Sequence, residues 1–279
     1  MIDSTIALRD GRTLAYCEHG DPSGEPVVLF HGSPGSRLFA PIEVPPGIRL
    51  ITFDRPGYGN SDGVPGRTVL DVASDLAELL DALAIDCSAM LAWSGGCPFG
   101  AAFAFAYPSR TSALAIVSGP GPIDEVPGAW DRLGRRRGAP AKWVRAGDQL
   151  RATKSIADTV GPFLDDPVAF LGSGRGVDRD VVLSPKFRPM LEAQIVAAFR
   201  RSDGIAQDLI AMWLPFDFSL NQIRVPTYVF QGALDRDNHC DLGIYAQEIE
   251  DATHTIWPDL AHFALLVQFE QVTNALLRR

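Results

Sequence analysis

Residues 88–107 read SAMLAWSGGCPFGAAFAFAY. Ser88 to Ala92 is an apolar run of strand length, and Gly96 to Tyr107 is an apolar run of helical length. The chain therefore passes from strand to helix across Ala92-Trp93-Ser94-Gly95-Gly96. A side chain on so sharp a turn is pushed out of the sheet, and only small neighbours avoid a clash there. Ser94 is that side chain, set at a helix N-terminus where free backbone N–H groups stabilise an anion. Taken alone, the same serine also reads as an ordinary helix cap. Cys97 lies one turn further, inside the helix, where its thiol points into packing.

The surrounding stretch resembles a membrane span in one respect only. From Cys87 to Ile123 the single charged side chain is Arg110. Pro98, Pro108, Pro120 and Pro122 break the run, and Ser94-Gly95-Gly96 sits in its middle, so a buried strand, helix and strand explain it better.

Working outward, short apolar runs bounded by Gly, Pro and Asp alternate with helical patterns, as in βα units feeding a mainly parallel sheet. Strands are expected at Ile2–Leu8, Thr13–His19, Val27–Phe30, Leu50–Phe53, Ser88–Ala92, Ala113–Val117, Thr227–Phe230 and Thr253–Trp257, the first two joined as a hairpin by Asp10-Gly11. Helices are expected at Val69–Ala84, Gly96–Tyr107 and Phe263–Leu277. In the first, Val69, Val72, Ala73, Leu76, Leu79, Leu80 and Leu83 form one face, while Asp71, Asp75, Glu78 and Asp81 take the other. Thr68 is its expected N-cap.

Between Pro120 and about Leu220 the strand rhythm stops, and Gly, Pro and large aromatics become frequent. This segment reads as a helical cap insertion. The expected division is a core in two parts, residues 1–121 and 221–279, with the cap at 122–220.

Other strand ends carry polar groups. Val27–Phe30 runs into His31-Gly32-Ser33-Pro34-Gly35-Ser36, a loop able to turn a backbone N–H toward the same edge. Ser33 is the preferred donor, since Pro34 has none. His31, directly at the strand end, reads as a hydrogen-bonded support rather than a base. Asp235 follows Thr227–Phe230, and His262 follows the last strand. In a parallel sheet these ends share one edge. A serine nucleophile needs a base, and the base needs a carboxylate to fix its tautomer. Ser94, Asp235 and His262 also occur in the chain order described for one class of hydrolase. Singly, Asp235 reads equally as a loop acid and His262 as a structural histidine.

At this point the chain resembles the α/β-hydrolases over nearly its full length. The matching pieces are HGSPGS at 31–36, DRPGYGNSD at 54–62, WSGGCPFG at 93–100, GALD at 232–235 and LAHF at 260–263, and Ala92 replaces the first glycine of GxSxG. The resemblance implies an eight-stranded, mainly parallel sheet flanked by helices. It makes Ser94 the nucleophile, His262 the base and Asp235 the acid, with the N–H groups of Ser33 and Gly95 as the oxyanion hole. Asp124, at the start of the insertion, is the alternative acid in some relatives, and Asp237 is a third candidate. Ser at position 94 argues against dehalogenases and epoxide hydrolases, which carry Asp there. HGSPG and DRPG depart from the HGGPG and DQRG of proline iminopeptidases.

The expected activity is cleavage of a carboxylic ester or lactone through an acyl-enzyme, without metal or organic cofactor. Trp93, Trp130 and Trp213 are candidates for lining a pocket for an uncharged small molecule. A lyase or C–C bond hydrolase using the same residues, and a ligand receptor with little turnover, stand as alternatives.

Composition narrows the classes further. With 46% hydrophobic and 21% charged residues the chain has globular composition. Its net charge of -9 argues against nucleic acid, because phosphate attraction needs surplus Lys and Arg. The basic cluster of Arg132, Arg135, Arg136, Arg137, Lys142 and Arg145 reads as a solvated helix face. Cys17, Cys87, Cys97 and Cys240 form no CxxC pair and have no His at zinc-ligand spacing, so free thiols are expected. The first twenty residues lack a basic region followed by an apolar run, and the expected location is the cytoplasm. Oligomeric state is not specified by any of these features.

Overall fold

The computed structural model describes residues 1–172, 176–235 and 242–278. Asp237 and Cys240 lie outside the described residues, as do the side chains at 134–137. Among the described residues, eight apolar runs pair into one sheet: β1 (Ile2–Ala7), β2 (Thr13–Gly20), β3 (Glu25–Phe30), β4 (Ile48–Phe53), β5 (Ser88–Trp93), β6 (Thr111–Val117), β7 (Thr227–Gly232) and β8 (Ala252–Trp257). Their order is β1-β2-β4-β3-β5-β6-β7-β8. β2 pairs antiparallel with β1 and β4, and all other pairs are parallel. All eight runs expected from the sequence are strands, with ends moved by up to two residues.

Helix α1 (Val69–Ala82) precedes β5 and α2 (Cys97–Ala106) follows it. Between β6 and β7 come α3 (Ala129–Arg137), α4 (Ala139–Arg145), α5 (Gln149–Val160), α6 (Pro162–Asp165), α7 (Pro167–Leu171), α8 (Asp178–Leu183), α9 (Arg188–Ala198) and α10 (Asp203–Trp213). α11 (Leu242–Glu248) precedes β8, and α12 (Ala264–Val267) and α13 (Phe269–Leu276) end the chain. The expected closing helix is therefore two helices, broken at Gln268, whose φ of -111° and ψ of 21° leave the helical region.

Alternation along the strands builds two cores. Val28, Phe30, Met90, Ala92, Leu114, Ile116 and Val229 face α1 and α2, with Leu76, Leu80, Phe99 and Phe103 opposite them. Val27, Leu29, Ala89, Leu91, Ala113, Ala115 and Val117 face the other way, toward Leu265, Phe269, Val272 and Leu276. Covered on both faces, β5 is buried at every position, which is why it reads as one unbroken apolar run.

In α1 the expected apolar face is buried, and Asp71 accepts from the Thr68 N–H at 2.7 Å, the acidic half of a capping box. Asp75 differs from expectation. It is 3% exposed, because Arg12 from the β1–β2 hairpin covers it with bonds of 2.6 and 2.8 Å. A paired guanidinium offsets the cost of removing that carboxylate from water.

The connection from β5 to α2 crosses the end of β3 without a gap. A Cβ added to Gly96 would run into the Phe30 carbonyl oxygen and lie 2.7 Å from that of His31, both backbone atoms of a buried strand end. Gly96→Ala therefore lowers stability by about 1–3 kcal/mol, measured as a lower urea midpoint at unchanged slope. An unchanged midpoint contradicts so tight a crossing.

Candidate active site

Parallel pairing sets the carboxyl ends of β3 and β5 side by side, with Phe30 opposite Ala92. From β3 the chain continues outward to β4, whereas β5 lies on the other side of β3. Loops leaving such neighbours in opposite directions open a crevice at the strand ends. Ser94 stands at that edge, directly after β5. It takes φ +53°, a left-handed conformation costly for a residue with a side chain, and begins the short 3₁₀ turn Ser94–Gly96 that leads into α2.

β7 and β8 deliver two further groups to the same edge. Their ends are in register, Gly232 opposite Trp257, and the loops beyond are tied by Ala233 N–H to Trp257 O (2.8 Å) and Leu234 N–H to Leu260 O (2.9 Å). Asp235 then faces His262. His262 Nδ1 lies 3.0 Å from Asp235 Oδ2, and His262 Nε2 lies 2.9 Å from Ser94 Oγ. Asp235 is 1% exposed and the His262 side chain 18%. With Nδ1–H donating to the carboxylate, Nε2 is left to accept from the serine hydroxyl.

The main chain around His262 is held from two sides. Its carbonyl accepts from Trp93 Nε1 at 3.0 Å. Its N–H and that of Phe263 donate to the Asp178 carboxylate of α8, at 3.2 and 3.0 Å. Asp178 carried no signal in the sequence, lying 84 residues from the histidine it holds.

The other acids have different partners or fall outside. Asp124 accepts from Trp130 Nε1 at 2.8 Å, and Asp237 lies outside the described residues. Cys97 Sγ is buried against the carbonyls of Ala92 and Val117, and burial pushes its thiol pKa far up, so it is not a thiolate. His31 is 1% exposed, with Nδ1 2.7 Å from Gly32 O and Nε2 receiving the Arg55 N–H at 3.4 Å. Burial, reinforced by Arg55, holds its pKa well below the ordinary histidine value. It is a neutral, occupied support for the β3 end.

Ser33 lies directly against Gly95, since a Cβ on Gly95 would come within 2.9 Å of the Ser33 nitrogen. The Ser33 N–H meets no acceptor among the described residues. The Ser33 hydroxyl, by contrast, enters a buried cluster that sequence reasoning missed. It donates to Asp208 of α10 at 2.5 Å and accepts from Arg55 at 2.8 Å, while Arg67 holds the other Asp208 oxygen at 2.6 Å.

The three tryptophans have mixed surroundings. Trp93 is 5% exposed, stacked on Phe39 at 4.4 Å, and serves the His262 main chain through its indole N–H. Trp213 is 7% exposed within the apolar core, and Trp130 is half-buried beneath Arg145. Among the described residues no three His, Cys, Asp or Glu side chains converge to hold a metal ion. Nor is any described helix long and apolar enough to cross a membrane.

A family model described as the alpha/beta hydrolase fold matches residues 25–268. A proline iminopeptidase of Xylella fastidiosa (strain 9a5c) is 30% identical over 117 residues, 40% of this chain and 37% of its own length. The chain matches only about two fifths of the length of such curated relatives. Among solved structures, an esterase from Exiguobacterium antarcticum superposes with TM-score 0.70 at 21% identity, covering 99% of this chain and 98% of that one. An enol-lactonase from Burkholderia xenovorans LB400 gives TM-score 0.66 at 20% identity, with 99% and 98% covered. The family match spans most of the chain, and the sheet order and flanking helices agree with it: this chain belongs to the α/β-hydrolase fold family.

Proposed function

We propose that the chain is a serine hydrolase that cleaves an uncharged carboxylic ester or lactone through an acyl-enzyme. The observation that carries this reading is the unbroken line from Asp235 through His262 to Ser94, at 3.0 and 2.9 Å, ending on a serine held at positive φ. Ser94 Oγ attacks the carbonyl carbon while its proton passes to His262 Nε2. Asp235 fixes the imidazole tautomer and stabilises the imidazolium. The N–H groups of Ser33 and Gly95 hold the developing oxyanion, each worth roughly 3 kcal/mol in the barrier. His262 returns the proton to the departing alkoxide as the C–O bond breaks. Water then gives a proton to His262 and its oxygen to the acyl carbon, and Ser94 recovers its proton as the acid leaves. The cycle calls on no metal or organic cofactor.

In this reading residues 122–220 act as a cap over a core formed by 1–121 and 221–279, and the cap selects the acyl group. Support comes from the helices described between β6 and β7, one of which reaches His262 through Asp178 and another Ser33 through Asp208. Trp130 and Trp213 are the cap aromatics assigned to this selection.

The partial likeness to a proline iminopeptidase favours a second reading, a peptidase using the same groups, since amide and ester pass through the same kind of oxyanion. Prolyl p-nitroanilide hydrolysed faster than short p-nitrophenyl esters would decide for it. A ligand-induced rise in Tm without turnover of either substrate would decide for a receptor.

Ser94→Ala is expected to reduce p-nitrophenyl ester turnover by at least about 10⁴-fold with Tm nearly unchanged, since loss of a nucleophile in an unrelated serine hydrolase costs up to about a million-fold. Asp235→Asn, which keeps the shape but favours the wrong tautomer, is expected to lower kcat by about 10⁴-fold, while Asp124→Asn keeps most activity. Collapse in Asp124→Asn alone would move the acid and leave Ser94 and His262 standing. Replacing Trp130 or Trp213 by Leu is expected to reorder kcat/KM among acyl groups, a ratio indifferent to the fraction of folded enzyme. An unchanged order in both places the selecting surface elsewhere.

A further inference from the structure

We propose that Asp208 of α10 is a positioning residue that aims the Ser33 N–H at the oxyanion, a role that rests on the hydrolase reading of Ser94. Asp208 lies on a buried face among Ile205, Ala206, Ala211 and Met212 and is 0% exposed. A lone carboxylate in such a place is costly unless cations and donors surround it. Its Oδ2 accepts from Ser33 Oγ (2.5 Å) and from Arg55 Nη2 (2.5 Å) and Nε (3.0 Å), and its Oδ1 accepts from Arg67 Nη2 (2.6 Å).

Arg55 carries this anchoring to the loop. Besides Asp208, its guanidinium donates to His31 O at 2.5 Å and to Gly32 O at 3.0 Å. The Gly32 carbonyl and the Ser33 N–H belong to one trans peptide and point in opposite directions. Holding that carbonyl toward Arg55, with His31 Nδ1 also 2.7 Å from it, turns the Ser33 N–H the other way, while Ser33 nitrogen packs against Gly95. The direction of the proposed oxyanion donor is thus set by a guanidinium whose own place is set by Asp208.

The arrangement is stiff because every part is enclosed. Both guanidiniums and the carboxylate have fully buried side chains, and Phe99 lies under Arg55 and Arg67 at 4.7 and 5.7 Å. Arg67 Nε and Nη1 have no acceptor among the described residues, while its Nη2 also donates to Pro56 O at 3.0 Å, so Asp208 supplies the carboxylate that balances its charge at contact distance. Helix α10 is fixed against the loop after β4, where a Cβ on Gly204 would come within 2.5 Å of Gly57 main-chain atoms. Burial pushes the Asp208 carboxyl up, but Arg55 and then Arg67 outweigh burial and hold it below the ordinary value, so it stays ionised. The three elements are distant in sequence, Asp208 lying 175 residues from Ser33 and 153 from Arg55. Through them the segment between β6 and β7 grips the loop after β3.

The test compares wild type, Asp208→Asn and Ser33→Ala on a short p-nitrophenyl ester. The acylation burst counts active sites, and a trifluoromethyl ketone of matching acyl group reports oxyanion binding. Asp208→Asn is expected to lower kcat per active site by about 10- to 100-fold, with KM within about twofold and ketone affinity weakened in proportion to kcat. Should Asp208→Asn fail to fold, Ser33→Ala still tests the role, because it cuts the hydroxyl links and keeps the backbone donor. It is expected to lower kcat and ketone affinity together by about 3- to 10-fold. Folded variants with wild-type kcat per active site and wild-type ketone affinity overturn the role, whatever their Tm. Wild-type protein that turns over no ester overturns the hydrolase reading and this role with it.

Discussion

Parallel pairing of β3 with β5, and of β7 with β8, is the constraint on which the site depends. Parallel strands end on one edge, so the loops that leave Phe30, Trp93, Gly232 and Trp257 have to meet there. Once they meet, few choices remain. The β5–α2 crossing has no room for a side chain at Gly96, and it places Ser94 at φ +53° with its hydroxyl toward the β8 loop. Register between β7 and β8 carries Asp235 to His262 without further adjustment.

Polar contacts then lock the loops that the sheet has gathered. Asp178 accepts the N–H groups of His262 and Phe263, Trp93 holds the His262 carbonyl, and the Arg55–Asp208 pair holds the main chain of His31 and Gly32. Charge-assisted bonds in a buried setting are strong and directional. Both locking carboxylates come from helices between β6 and β7. A segment that reads in sequence as a separate helical insertion is therefore bonded to the loops after β3 and β8.

The sheet and the central serine were legible because their signals are local. A buried strand, a turn of small residues and an apolar helix are all present within residues 88–107, and each other strand reads from its own few residues. His262 and Asp235 were legible through strand order. The same strand order favours Asp235 over Asp124, and in the structure Asp235 meets His262 while Asp124 meets Trp130. Asp75 reads in sequence as a solvent-facing acid because the arginine covering it lies 63 residues away. Asp178 and Asp208 were invisible for the same reason, as ordinary acids of helices whose partners are 84 and 175 residues distant.

In the proposed reaction everything turns on Ser94 acting as a nucleophile primed by His262. Intact-mass analysis after exposure to a fluorophosphonate, followed by peptide mapping, tests it, the signal being phosphonylation of a single side chain with departure of fluoride. Stoichiometric labelling on Ser94, slowed strongly in His262→Ala, is expected. Labelling on Cys97 or another serine, or none under conditions where ester turnover is seen, would contradict it.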